Sequence, residues 1–346
     1  MNFSVVLTLG VVAVALGAPV EEKEPNRING ENGWYVPQID GSFEWMSVEE
    51  ADVVQQAQEY MNRKRVSTIV DYYLFTQANP TMPQKIEATM ESIQMWSNFD
   101  KDHPTKFVIH GWGGSWGDEI NVKIREAWLS KGQCNVIIVD WSSRAQTINY
   151  PSSVSYVPDV GKIVAEFVDF LNSNFGLPFD TLTIIGHSLG AHVAGYAGKN
   201  VKNGRVHTII GLDPALPLFS YEKSNKRLSF DDALYVESIQ TNGGKLGFLM
   251  PIGKGAFYPN GGKSQPGCGL DLTGSCAHSR SYLYYAEAVS KNDFPSMKCP
   301  NYEDAVSKDC GATFSSVRMG ATTNAYMASG DFYVPVKKKT PYGMGS

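Results

Sequence analysis

The sequence predicts an α/β fold in which an open, mostly parallel doubly wound sheet is covered by helices on both faces. Three observations carry this. Short runs rich in Val, Ile, Tyr and Phe alternate with longer amphipathic stretches. The short runs are apolar at successive positions, as strands covered on both faces must be. They stop at Gly, Asn or Asp, the residues that break strands and open turns. Right-handed crossovers then wind the chain, and ligands of such sheets bind beyond the carboxyl ends of the strands.

In chain order, residues 1–17 hold the apolar run Val5 to Leu16, with Ala15 and Gly17 as small residues for cleavage. The run is too short to cross a bilayer and reads as a signal peptide, so the mature protein is expected to be secreted. Residues 18–60 lack a clear period and carry Trp34, Tyr35, Val36 and Pro37 before an acidic patch. They read as an N-terminal extension and a candidate propeptide, packed loosely on a main domain over 61–346. Strands are expected at Val70 to Ala78, Lys106 to Trp112, Asn135 to Trp141, Leu182 to Gly186, His207 to Leu212 and Ala233 to Thr241. Between them Ile120, Ile124, Ala127 and Trp128 share one helical face. Val160, Ile163, Val164, Phe167, Val168 and Leu171 follow the i, i+3, i+4, i+7 spacing of another. A basic tail, Lys337 to Lys339, follows.

Composition narrows the function. The 30 basic and 35 acidic residues form no long run of either sign, and the net charge is −5. A nucleic-acid binder would need a basic face, and none is visible. No segment beyond the first 17 residues reaches the 18 apolar residues of a transmembrane helix. Cys268 and Cys276, and Cys299 and Cys310, bracket loops rich in Gly, Pro, Ser and Asp. Four cysteines allow three pairings, of which the two local ones are expected, in keeping with an oxidising compartment. Cys134, before the apolar run Val136 to Val139, is expected to be a buried free thiol. With no Cys-x-x-Cys and no His cluster, neither a metal nor another cofactor is expected.

One motif carries chemistry. Gly186-His187-Ser188-Leu189-Gly190 fits Gly-x-Ser-x-Gly, follows the strand Leu182 to Ile185 and opens a helix of small residues. This is the strained strand–turn–helix elbow that lifts a nucleophilic serine above an α/β-hydrolase sheet, at a helix N-terminus that favours developing negative charge. A second match, Gly113 to Gly117, lacks the helix directly after it, and its Ser115 reads as a turn serine. His110-Gly111-Trp112-Gly113-Gly114 is similar to the loop that supplies half of an oxyanion hole, so the backbone N–H groups of Trp112 and Leu189 are the expected donors. Such donors contribute about 3 to 4 kcal/mol each to a transition state.

A serine hydroxyl needs a base. In this fold the chain order is Ser, acid, His. Of six histidines only His278, in the loop around the second cysteine, follows the serine in a suitable place; His192 lies in the elbow helix and His207 at the opposite end of a strand. Asp213 ends the strand Val206 to Leu212 and is the expected acid, orienting His278. Asp140 also ends a strand but precedes the serine.

Four blocks together, Gly186 to His192, Gly211 to Ala215, Phe257 to Gly262 and Cys276 to Tyr282, make residues 65 to 335 resemble the pancreatic lipase family, nearest to its short secreted insect lipases and phospholipases A1. The resemblance implies the same triad, Ser188, Asp213 and His278, and a lid between the two cysteines: Gly269, Leu270, Asp271, Leu272, Thr273, Gly274 and Ser275. Seven residues with two glycines are too few for a stable helix, and short lids in the family go with phospholipase A1 activity. No C-terminal β-sandwich domain and no colipase partner are expected. Arg227 and Asp232 match the family's calcium loop, while Ser224 and Ser229 stand where its acidic ligands would be. The expected function is hydrolysis of lipid esters, phospholipid or triacylglycerol, at a membrane or emulsion surface. The contrasting reading is a lipid-binding, yolk-type storage protein on the same fold, whose relatives lack a working nucleophile; a third is a general esterase or peptidase.

Overall fold

In the computed structural model, which describes residues 26–62 and 70–345, the strand-forming runs build one central sheet. A hairpin of β1 (Gly33–Pro37) and β2 (Phe43–Ser47) leads into α1 (Val48–Asn62). Then come β3 (Asp71–Phe75), β4 (Gln84–Ile86), α2 (Met90–Trp96), β5 (Thr105–Ile109), α3 (Glu119–Leu129) and β6 (Asn135–Asp140). The short α4 (Ser142–Ala145) and long α5 (Tyr150–Phe175) precede β7 (Thr183–His187), α6 (Leu189–Asn200), β8 (Thr208–Leu212) and β9 (Tyr235–Ile239). The chain closes with β10 (Gly255–Pro259), α7 (Ser275–Lys291), β11 (Met297–Lys298) and β12 (Gly330–Val334). The expected signal peptide lies outside the described residues.

The sheet runs β11-β12-β10-β9-β8-β7-β5-β6-β3-β4. From β12 to β6 every neighbouring pair is parallel, and β11, β3 and β4 add antiparallel edges. All six expected strands are present; five are shorter than their apolar runs, and β7 keeps the length of its run but is shifted by one residue. β10 to β12 escaped the sequence reading because Gly255-Ala256 and Gly330-Asp331 interrupt their apolar pattern.

Burial follows the pattern. Phe107, Val108, Ile109 and Val136 to Val139 are buried on both faces. One face packs on α5 and α6, whose stripe of Val160, Val164, Phe167, Val168 and Leu171 is buried; the other packs on α3 and α7. Gly176, at φ +74°, ends α5 with the amide of Leu177 donating back to Leu171 O, the left-handed stop that a side chain resists. The register of the central strands decides the site. His187 pairs with Leu212 and Leu212 with Ile239, so Ser188 and Asp213 leave the sheet side by side at its carboxyl edge.

The extension expected over residues 18–60 to lack a period and pack loosely instead holds, within its described part, a hairpin and most of α1, with Trp34, Val36 and Ala51 buried. Alternation over only five residues per strand is too brief to register as a pattern.

Candidate active site

Ser188 sits between β7 and α6 with φ 56° and ψ −122°, a conformation a residue with a side chain holds only when its surroundings enforce it. Its amide donates to Leu212 O at 3.0 Å, and its carbonyl accepts from Ala191 and Ala215. The flanking glycines follow from contact. A Cβ on Gly186 would strike the backbone of Gly190, and one on Gly190 would strike the carbonyls of Ile109 and His110. Both positions must lack a side chain for the helix to start so close to the sheet.

Asp213, fully buried after β8, accepts from the amides of Thr241 (2.7 Å) and Asn242 (3.0 Å) through Oδ1. Its Oδ2 meets Nδ1 of His278 at 2.5 Å. His278 lies not in a loop, as expected, but in the first turn of α7. The helix starts there because the Asp271 carboxylate accepts from the amides of Cys276 and Ala277, satisfying donors that a helix start leaves unpaired. The disulfide Cys268–Cys276 ties that start to the preceding loop. Ser188 and His278 line the same cavity, of about 510 Å³, with no hydrogen bond between their side chains.

Trp112 borders this cavity on the loop after β5. The loop is held by Gly113 N donating to Ala145 O at 2.8 Å and Trp112 Nε1 to Thr147 O at 3.0 Å. Neither the Trp112 nor the Leu189 amide donates to a protein acceptor among the described residues. The rival residues are occupied elsewhere. Asp140 faces His110 and the Ser142 amide, and Ser115 turns the chain by bonding Asp118. His207 lies at the far end of β8 against Thr208 and Tyr326.

A sequence model of the lipase family matches residues 41–342. The chain belongs to the lipase family. It is accordingly a carboxylic ester hydrolase. Among curated relatives, phospholipase A1 2 of Vespa affinis is 34% identical over 280 residues, spanning 73% of this chain and 80% of that one. Phospholipase A1 of Vespa crabro is 35% identical over 281 residues, spanning 73% and 89%. Among solved structures, an α/β hydrolase from a Medee basin deep-sea metagenome library aligns at 15% identity and TM-score 0.28 over 51% of this chain and 65% of that one.

This lipase-family chain departs from the family's calcium loop. Lys199 of α6 donates to Arg227 O at 2.9 Å and pairs with Asp232 Oδ1, while Ser229 N donates to Asp232 Oδ2 at 2.8 Å. Burial pushes the Asp232 carboxyl up to about 6, against the pull of Lys199. An ammonium thus already holds the oxygens a cation would take, and Ser224 and Ser229 add no charge, so the residues do not fit a divalent ion. Among the described residues one cluster has metal-ligand types, Cys268, Asp271 and Cys276, and its sulfurs are joined to each other. The second expected disulfide, Cys299–Cys310, is present, and Cys134 is free and buried.

Three features escaped the sequence reading. His187, buried next to the serine, donates through Nε2 to His278 O at 3.3 Å, its ring 4.4 Å from that of His278. Burial, then the neighbouring His278, holds its pKa well below the ordinary value, so it is a neutral donor. Its place inside the elbow motif was a usable signal. His192 is likewise held to about 3 by burial and links α6 to the next loop, donating to Ala215 O and accepting from Leu228 N. The third is the hairpin tip, whose Pro37, Gln38, Gly41 and Phe43 line the cavity; only tertiary packing brings it there.

Proposed function

We propose that this chain hydrolyses lipid esters through a Ser188–His278–Asp213 triad, cutting phospholipids at sn-1 as a phospholipase A1. The observation that carries the reading is the Asp213–His278 contact at 2.5 Å, set beside a serine held at positive φ in the same cavity. Ser188 Oγ attacks the acyl carbonyl while His278 Nε2 takes its proton. Asp213 fixes the imidazole tautomer and stabilises the imidazolium. The amides of Trp112 and Leu189 receive the oxyanion. Collapse releases the lysolipid alcohol with the proton from His278, leaving the acyl group on Ser188. Water, deprotonated by His278, then frees the fatty acid and restores the hydroxyl. The serine–histidine hydrogen bond of hydrolases is commonly long before substrate arrives and tightens in the complex.

Several features support the finer assignment. The relatives named above are phospholipases A1. The segment read as the lid forms no helix before Ser275, so little closure has to be relieved at an interface. Two disulfides suit a secreted protein. The intact nucleophile and free oxyanion donors argue against a storage role. In the decisive test, Ser188→Ala loses at least about three orders of magnitude in kcat on a short-chain ester. Phosphatidylcholine vesicles are hydrolysed faster than trioctanoin emulsions. Wild-type protein that binds lipid but cleaves no ester would overturn the reading.

A further inference from the structure

The segment before α1 is built into the domain at several points. Asn29 Nδ2 donates to Gly244 O at 3.1 Å, Trp34 is buried, and Gln55 Nε2 of α1 donates to Leu218 O at 3.1 Å. Within the hairpin the strands lie so close that a Cβ on Gly33 would collide with the Trp45 ring. Its tip is a tight turn, with Gln38 N donating to Ser42 O and Gly41 N to Gln38 O. This places Pro37, Gln38, Gly41 and Phe43 on the wall of the cavity that holds Ser188 and His278.

The tip also meets the segment between the cysteines. A Cβ on Gly41 would stand 3.4 Å from Thr273 Cγ2. Lys245 joins the two pieces: its ammonium lies 5.7 Å from the Phe43 ring centroid and donates to the carbonyls of Asp271, at 2.9 Å, and Leu272. Ile39 at the tip and Leu270 and Leu272 opposite are exposed by 69%, 86% and 73%. The cavity itself is faced by Phe43, Trp112, Ile120, Tyr150 and Leu246. Its two acidic residues are engaged, Asp118 with Ser115 and Glu119 with the Tyr282 hydroxyl.

We propose that the β1–β2 hairpin is the second jaw of the cleft, its Phe43 face gripping a long acyl chain opposite the short lid, with Lys245 holding the two jaws at a fixed separation. The inference rests on the lipid-ester reading of the same cavity and names what selects the substrate there. The occupant is an acyl chain because the wall offers apolar rings and few unpaired polar groups, the usual lining of an apolar-ligand site. A seven-residue lid cannot cover such a chain alone. The hairpin supplies the missing wall from a different part of the sequence.

The test compares p-nitrophenyl acetate with p-nitrophenyl decanoate and measures binding of a dialkyl-ether phosphocholine, which no hydrolase can cleave. It uses the full chain, hairpin included, and the variants Phe43→Ala and Lys245→Met. In Phe43→Ala the ratio of kcat/KM for decanoate to that for acetate falls about tenfold, chiefly through KM, and the ether-lipid Kd rises by a similar factor. Lys245→Met shows the same pattern at about threefold and removes no core side chain, so it decides the matter should Phe43→Ala fail to fold. Ratios and Kd values within twofold of wild type, in variants with unchanged unfolding transitions, overturn the proposal. Ether-lipid binding that depends on the hairpin, in a protein that cleaves no ester, sinks the hydrolase reading and leaves the hairpin inference standing.

Discussion

The floor and the rim of the cavity are built on opposite terms. At the floor Ser188, Asp213 and their neighbours are fixed by backbone hydrogen bonds from adjacent strands, and Gly186, Gly190 and Gly211 are packed so closely that no side chain fits. At the rim Leu270, Leu272 and Ile39 stand in solvent, and Lys245 links the hairpin to the segment between Cys268 and Cys276. In the proposed reaction the floor must hold the reacting groups to within fractions of an ångström, and pre-organisation of that kind requires an over-determined backbone. The rim has only to present apolar surface to a lipid, which tolerates variation. Sequence change at the floor should therefore act on kcat for every substrate, and change at the rim on the preference among substrates.

Three variants test that division, in falling order of effect. Asp213→Asn leaves the shape intact but supplies the wrong hydrogen-bond partner to His278; kcat should drop about 10⁴-fold, equally on soluble ester and on vesicles. A loss confined to vesicles would erase the distinction between floor and rim. Lys199→Met strips the buried Asp232 of its partner beneath the elbow helix and should cost about 3 kcal/mol of stability in denaturant unfolding. The deficit should grow as pH rises above about 6. There the wild-type carboxylate ionises against Lys199, whereas the variant must keep a proton or carry a bare buried charge. A deficit that instead shrank with rising pH would contradict the assigned pairing. Smallest is Leu270→Ser with Leu272→Ser at the rim, expected to lower the vesicle rate about threefold to fivefold with a lesser effect on soluble ester. An equal fall on both would place these side chains among the floor residues.

The same division explains what the sequence disclosed. The elbow glycines, the strand-end aspartate and the strands buried on both faces are local patterns with a single structural cause, and each was readable from residue order. His278 was found by elimination but placed in a loop, because the cap that starts α7 is Asp271, seven residues upstream and across a disulfide. The hairpin was illegible for a related reason. Its strands are five residues long, and the cavity they border is formed by segments scattered along the chain from His110 to Tyr282. Lys199 gave no signal at all, since a lysine on a helix usually faces water, and only the fold reveals that it points at Asp232.

That lysine has a consequence for where such a protein can work. Its positive charge is part of the polypeptide, so it can be neither diluted away nor captured by a chelator, and the brace it forms arrives with the folding chain. A fluid crowded with phosphate or fatty-acid soaps, which sequester divalent ions, leaves this corner of the molecule intact.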